Sequence, residues 1–163
     1  MIGKLLLEGL GLGAVLVLIC FVGIRKGAVG MVQLYHKDVQ DRCVSLGLTT
    51  YEKIKQHASR TRLISLTAYL TYVIGCVYGI NGARGFGQGF VHIFVILSIM
   101  NLIDRFLIDE LWVCHTKAWV IPGTEDLQPY INSKDKIMKW LFGTVGMAAF
   151  AAIIAGIMAL VIR

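Results

Sequence analysis

Long apolar runs and polar stretches alternate along this chain. The apolar runs cover residues 5–24, 63–80, 86–107 and 140–162. A run of about 20 residues, rising about 1.5 Å per residue, crosses roughly 30 Å of hydrocarbon as a helix. None alternates with the period of two that a barrel strand needs. The pattern predicts an all-α integral membrane protein with four transmembrane helices, one membrane domain over residues 1–163. In water, so little polar chain could not cover four such helices. The first run follows Lys4 in the manner of a signal peptide, but Glu8 interrupts it and no small-residue cleavage site follows. Ile19 also stands where a lipobox before Cys20 requires a small residue. The run is therefore expected to remain as a span.

The polar segments are 25–62 and 108–139. In the first, Ala28, Val32, Tyr35, Val39, Cys43 and Leu46 recur at three- and four-residue steps, the stripe of an amphipathic helix. Gly47 is a helix stop. Thr49 followed by Glu52 reads as a capping box opening a second helix that runs into span two. The expectation is a helical hairpin packed on the ends of the spans or lying in the headgroup layer. Tethered at both ends and lacking a third helix, it does not fit a DNA reader, and no nucleic-acid partner is expected. The glycine-rich segment 81–89 reads as a tight turn between spans rather than a phosphate cradle.

Composition agrees with the pattern. Hydrophobic residues make up 56% and charged residues 16% of the chain, against about 45–50% and about 25% in soluble domains. The formal charge is +6, and its distribution matters more than its sum. Arg25, Lys26, Lys37, Arg42, Lys53, Lys55, Arg60 and Arg62 lie between spans one and two. Arg105, Lys117, Lys134, Lys136 and Lys139 lie around and after the end of span three, leaving only Lys4, Arg84 and Arg163 elsewhere. Basic residues stay on the cytosolic side, so both long loops are expected inside and both termini outside, in a plasma membrane. Trp112, Trp119 and Trp140 then fall near the inner interface. Cys20, Cys43, Cys76 and Cys114 form no Cys-x-x-Cys pair and read as free thiols, with no metal site.

Candidate chemistry concentrates after span three. As one helix, Asn101, Asp104, Arg105, Asp109, Trp112, His115, Thr116 and Trp119 fall within about 140° of arc, with Glu110 and Lys117 opposite. Arg105 and Asp109 are spaced to pair. Asp104 and His115 are roughly 16 Å apart along the helix and share no metal; His36, His57, Glu125 and Asp126 are the other donors. The loop bearing Pro122 and Pro129 carries Glu125 and Asp126 as the expected wall of a headgroup-level pocket. The same face also fits a structural ion-pair network or a partner contact. Glu8 is expected to snorkel to water, and His92 to hydrogen-bond a neighbouring helix. Gly9 and Gly13 mark a close helix approach; Ala148, Ala152 and Gly156 mark an oligomer interface.

Together these features predict a protein that binds or transports a lipidic or amphipathic ligand at a polar site on the inner end of helix three. Its expected partners are the bilayer and a second copy of itself or a membrane complex. A membrane enzyme using Asp104, Asp109 or His115 and a structural or accessory subunit are the alternatives; no cofactor is identifiable. In length, span number and the side of its first loop the chain is similar in outline to the trimeric membrane glutathione and eicosanoid enzymes. Span two lacks their arginine-asparagine-glutamate pattern, so no residue roles are carried over.

Overall fold

The computed structural model describes residues 2–162. Five helices make up the frame: α1 (Ile2–Ile24), α2 (Lys37–Ser45), α3 (Tyr51–Ile80), α4 (Gly85–Val113) and α5 (Ser133–Val161). Among the described residues there is no strand. Helices α1, α3, α4 and α5 have 23, 30, 29 and 29 residues and are long and apolar enough to cross a membrane. Their outward faces stay greasy: Leu7 is 70% and Leu160 75% exposed.

Helices α3 and α5 start in polar chain well before their apolar runs, because caps nucleate them there. Thr50 Oγ1 accepts from Lys53 N at 3.3 Å and opens α3. This replaces the box expected at Thr49: with Thr50 as the cap, the third helical residue is a lysine, which cannot reciprocate. At α5 the box is complete, with Asn132 and Asp135 each bonding the other's backbone N–H.

The centre of the fold is the α1–α4 contact. A Cβ placed on Gly9 would lie 2.6 Å from Ile99 Cβ, and one on Gly13 would overlap the Ile103 side chain. Steps of four on both helices in the same sense mean that α1 and α4 run parallel. Only glycine lets the backbones approach so closely. Helix α5 packs along the other flank of α4 through Ala151, Ile154 and Ala155, with Ala155 close to Gly89. Helix α3 touches α1 loosely and reaches α4 with its last turn. Leu12, Val73, Val77, Ile93 and Ile96 form the sealed core of this half of the molecule. Ala148, Ala152 and Gly156 lie beside the packed stripe of α5, partly exposed, with open space over Gly156.

Glu8 does not snorkel. It is 9% exposed, and its Oε2 accepts from Asn81 Nδ2 at 2.8 Å. The turn after α3 folds back over α1, where Lys4 Nζ donates to Ile80 O and Tyr72 Oη to Glu8 O. The hydrogen bond expected of His92 is also missing: the side chain is buried and its Nδ1 has no partner.

At the opposite end the segments 25–50 and 114–132 fold together as a lid. Gly27, at φ 105°, turns the chain out of α1. A 3₁₀ segment, Ala28–Leu34, follows with a break at Met31, and α2 comes after it. The expected continuous helix is thus two pieces, because Gly30 backs directly onto the Gly23 carbonyl and the chain must bend around it. Most of the predicted stripe is nonetheless inside: Ala28, Val32, Tyr35, Val39 and Cys43 are buried. Leu46 is the exception, half exposed over Gly123. Gly47, at φ 71°, ends α2 as expected.

Overpacking a close helix approach costs about 1–3 kcal/mol. Gly9→Ala should therefore lower the melting temperature in detergent, whereas Gly156→Ala, with open space for the methyl, should leave it unchanged or raise it, by up to about 1 kcal/mol of helix propensity. Equal melting of the two variants would contradict the packing described.

Candidate functional site: a cavity between lid and bundle

The last ten residues of α4, Asp104–Val113, are wound as π-helix, with backbone bonds reaching five residues on instead of four. This wider turn changes which side chains share a face. Asp104, Arg105 and Asp109 lie on the flank facing α1 and α5, and Glu110 lies beside them toward the start of α5. Arg105 Nη1 donates to Asp109 Oδ2 at 2.5 Å, and its Nη2 donates to Asp104 Oδ2. From the second turn of α5, Lys139 Nζ donates to Asp109 Oδ1 at 2.9 Å. Lys136 makes a parallel bond to Glu110 at 2.5 Å, so two ion pairs zip α4 to the start of α5.

The four charges around Arg105 sum to zero, and three are well covered. Side-chain exposure is 12% for Arg105, 11% for Asp109, 25% for Asp104 and 39% for Lys139. Charges this far from water persist only when paired, and removal of one partner strands the rest.

Above this cluster the lid encloses a cavity of about 320 Å³. Its apolar wall comes from Leu16 and Cys20 of α1, Leu34, Ile108, Val113 and Ile131; its polar floor is Asp104, Arg105, Asp109 and Lys139. Tyr35, Trp119 and Tyr130 close it from the lid side. Tyr35 Oη donates to Trp119 O at 2.5 Å, and its ring meets Tyr130 edge to face at 5.0 Å. Burial, with Tyr130 and Cys43 adding to it, pushes the Tyr35 phenol far above the usual tyrosine range, so it stays a donor. Tyr130 Oη in turn lies 2.8 Å from Thr124 Oγ1. Helices α1 and α5 each pack on α4 but scarcely on each other, which leaves a gap between them. A second groove, between Leu34, His36, Tyr130 and Ile131 of the lid and Asp135, Met138, Lys139 and Phe142 of α5, adjoins the cavity and shares Leu34, Tyr130, Ile131 and Lys139 with it. His36 Nε2 and Asp135 Oδ2, 2.7 Å apart, bridge lid and α5 at its rim.

The residues predicted as one helix face do not stay together. Asp104, Arg105 and Asp109 meet in the cavity floor. Trp112 and Trp119 meet edge to face at 5.5 Å, but Trp119 belongs to a 3₁₀ turn of the lid, since the helix stops before Thr116. Asn101 is buried lower down against Gly143 of α5. His115 is exposed, with Nδ1 2.5 Å from Glu110 O. Glu125 and Asp126 do not line the cavity. Glu125 accepts from Gly123 N at 2.8 Å, and Asp126 pairs with Arg42 at 3.1 Å, which staples the lid's two segments together. Among the described residues, no three His, Cys, Asp or Glu side chains come together as metal ligands would.

Sequence reasoning missed Lys139, Tyr35 and Tyr130 as parts of the site. Lys139 was detectable in principle: α4 and α5 are antiparallel neighbours, and Asp109 and Lys139 lie at equal depth on them. Fold and site define an all-helical protein with four candidate membrane spans and a lidded, charge-balanced cavity at one end. Searches of protein-family models, curated proteins and solved structures find no match to this chain.

The lid contacts differ in weight. Tyr35→Phe removes a buried hydrogen bond and should lower stability by about 1 kcal/mol. The Arg42–Asp126 pair is mostly exposed, so Asp126→Asn should cost about 0–1 kcal/mol and less at high salt. Thermal melts at low and high salt check both; a larger loss from Asp126→Asn than from Tyr35→Phe would reverse that ranking.

Proposed function

We propose that this chain is a four-span membrane protein that binds a lipidic or amphipathic ligand in the cavity under its lid and passes it to or from the bilayer. One observation carries the reading. A cavity with greasy walls and a polar floor adjoins a groove between the lid and α5, and the outward face of α5 is itself greasy. A ligand with a polar head and an apolar chain fits both ends of that path. The depth agrees: the charged floor lies where apolar run gives way to polar loop, the level of lipid headgroups. Ionisable groups held at that depth are retained for function unless they are solely structural.

In this reading the lid faces the cytosol, because the basic residues of both loops gather at that end. Cys114 offers the test, since it is exposed at the lid end. Desolvation holds its thiol above the usual cysteine range, so labelling is run at alkaline pH. In intact cells a membrane-impermeant maleimide should leave Cys114 unmodified until the membrane is opened, in a variant with the other cysteines replaced by serine or alanine. Modification from outside would invert the topology.

Binding is tested with Asp104→Asn and Arg105→Gln in detergent. Wild type should gain several degrees of melting temperature with a single-chain amphiphile. Both variants should remain folded and lose that gain. If they melt far lower and respond to amphiphile as wild type does, the charged cluster is a structural strut and the reading fails.

A further inference from the structure

We infer that the cavity selects an uncharged, oxygen-bearing head on a single apolar chain, a neutral acyl ester of the monoacylglycerol type; this rests on the binding reading above. The first ground is charge. Asp104 and Asp109 balance Arg105 and Lys139 within one bonded cluster. An occupant with a net charge would leave one charge uncompensated in a poorly hydrated space, where such charges are strongly disfavoured. It could gain a partner only by displacing an existing one.

The second ground is the hydrogen-bond ledger of the wall. Arg105 and Lys139 share three bonds with the two carboxylates, and both Asp109 oxygens are used. Guanidinium and ammonium carry more N–H donors than those bonds absorb, and neither accepts. Arg105 Nε and Trp119 Nε1 are buried without a partner, on side chains that line the cavity; Trp119 as a whole is 2% exposed. The nearby hydroxyls are already engaged, Tyr35 with Trp119 O and Tyr130 with Thr124. Asp104 Oδ1 takes no part in these bonds and is the open acceptor of the floor. Against it stand the unshared N–H groups of Arg105 and Lys139, with Arg105 Nε and Trp119 Nε1 reached by a small side-chain shift, so donors outnumber free acceptors. An ester carbonyl or ether oxygen supplies acceptors without adding charge.

The third ground is shape. A cavity of about 320 Å³ holds a small head, and the adjoining groove offers Leu34, Ile131, Met138 and Phe142 to one chain beside the His36–Asp135 pair and Lys139.

The test uses the full chain in a neutral detergent at pH 7, with binding read from tryptophan fluorescence. The probes share one oleyl-type chain: monooleoylglycerol (neutral), oleyl phosphate (anionic) and oleylamine (cationic). Wild type should bind monooleoylglycerol at least about tenfold more tightly than either charged probe, a factor of ten being about 1.4 kcal/mol. Asp109→Asn leaves the cluster one positive charge in excess and should move the preference about tenfold toward oleyl phosphate. Lys139→Gln leaves it one negative charge in excess and should move it toward oleylamine; it decides the matter if Asp109→Asn does not fold. Wild type binding oleyl phosphate or oleylamine as tightly as monooleoylglycerol would overturn the inference while leaving the binding reading in place. So would folded variants with unchanged preference. If no probe binds wild type, both fall.

Discussion

The parallel contact of α1 and α4 is the constraint on which the rest of this fold depends. Two parallel neighbours cannot be joined by a short turn. The chain leaving α1 must return to the starting end before α4 can begin, and α3 makes that return. The segment that links α1 to α3 lies at the far end, where it becomes half of the lid. Gly9 and Gly13 thus do more than save space. By bringing α1 against α4 they place Leu16 and Cys20 beside Asp104 and Asp109.

The same arrangement explains why a cavity opens at this end. At the end near Glu8 and Asn81, a short turn joins α3 to α4 and the core closes around Val77, Tyr78 and Ile93. At the lid end, α1 and α5 stand on opposite flanks of α4 with nothing wide enough to fill the space between them. The lid covers that space from above through Tyr35, Trp119 and Tyr130 but leaves it open at the side. Asp104 beside Arg105 and Asp109 four residues on both reach the one arginine.

Charge balance and apolar walls pull in different directions, and here they coexist. Glu110–Lys136 joins α4 to α5 as a solvent-exposed pair. The Arg105 cluster instead borders an unfilled space and keeps donors in reserve. Apolar filling is often at least as stabilising as a buried ion cluster, so stability alone does not account for these charges.

From the sequence alone came whatever depends on local periodicity and on the cost of leaving a polar backbone in lipid. Four helices, the glycine approach on α1, the stop at Gly47 and the inward stripe from Ala28 to Cys43 all follow from residue spacing. So did the pairing of Arg105 with Asp109, which are neighbours on any helical turn. Tertiary structure alone decided the rest. The helix wheel placed Trp119 with Arg105 by assuming one regular helix, but the helix ends before Thr116 and the lid carries Trp119 back. Glu8 looked free to reach water until the turn after α3 closed over it. Lys139 entered the site because an antiparallel helix set it at the depth of Asp109, a relation between residues 30 positions apart. Spacing along the chain encodes what one helix presents; the angle and height at which helices meet depend on how all the side chains pack at once.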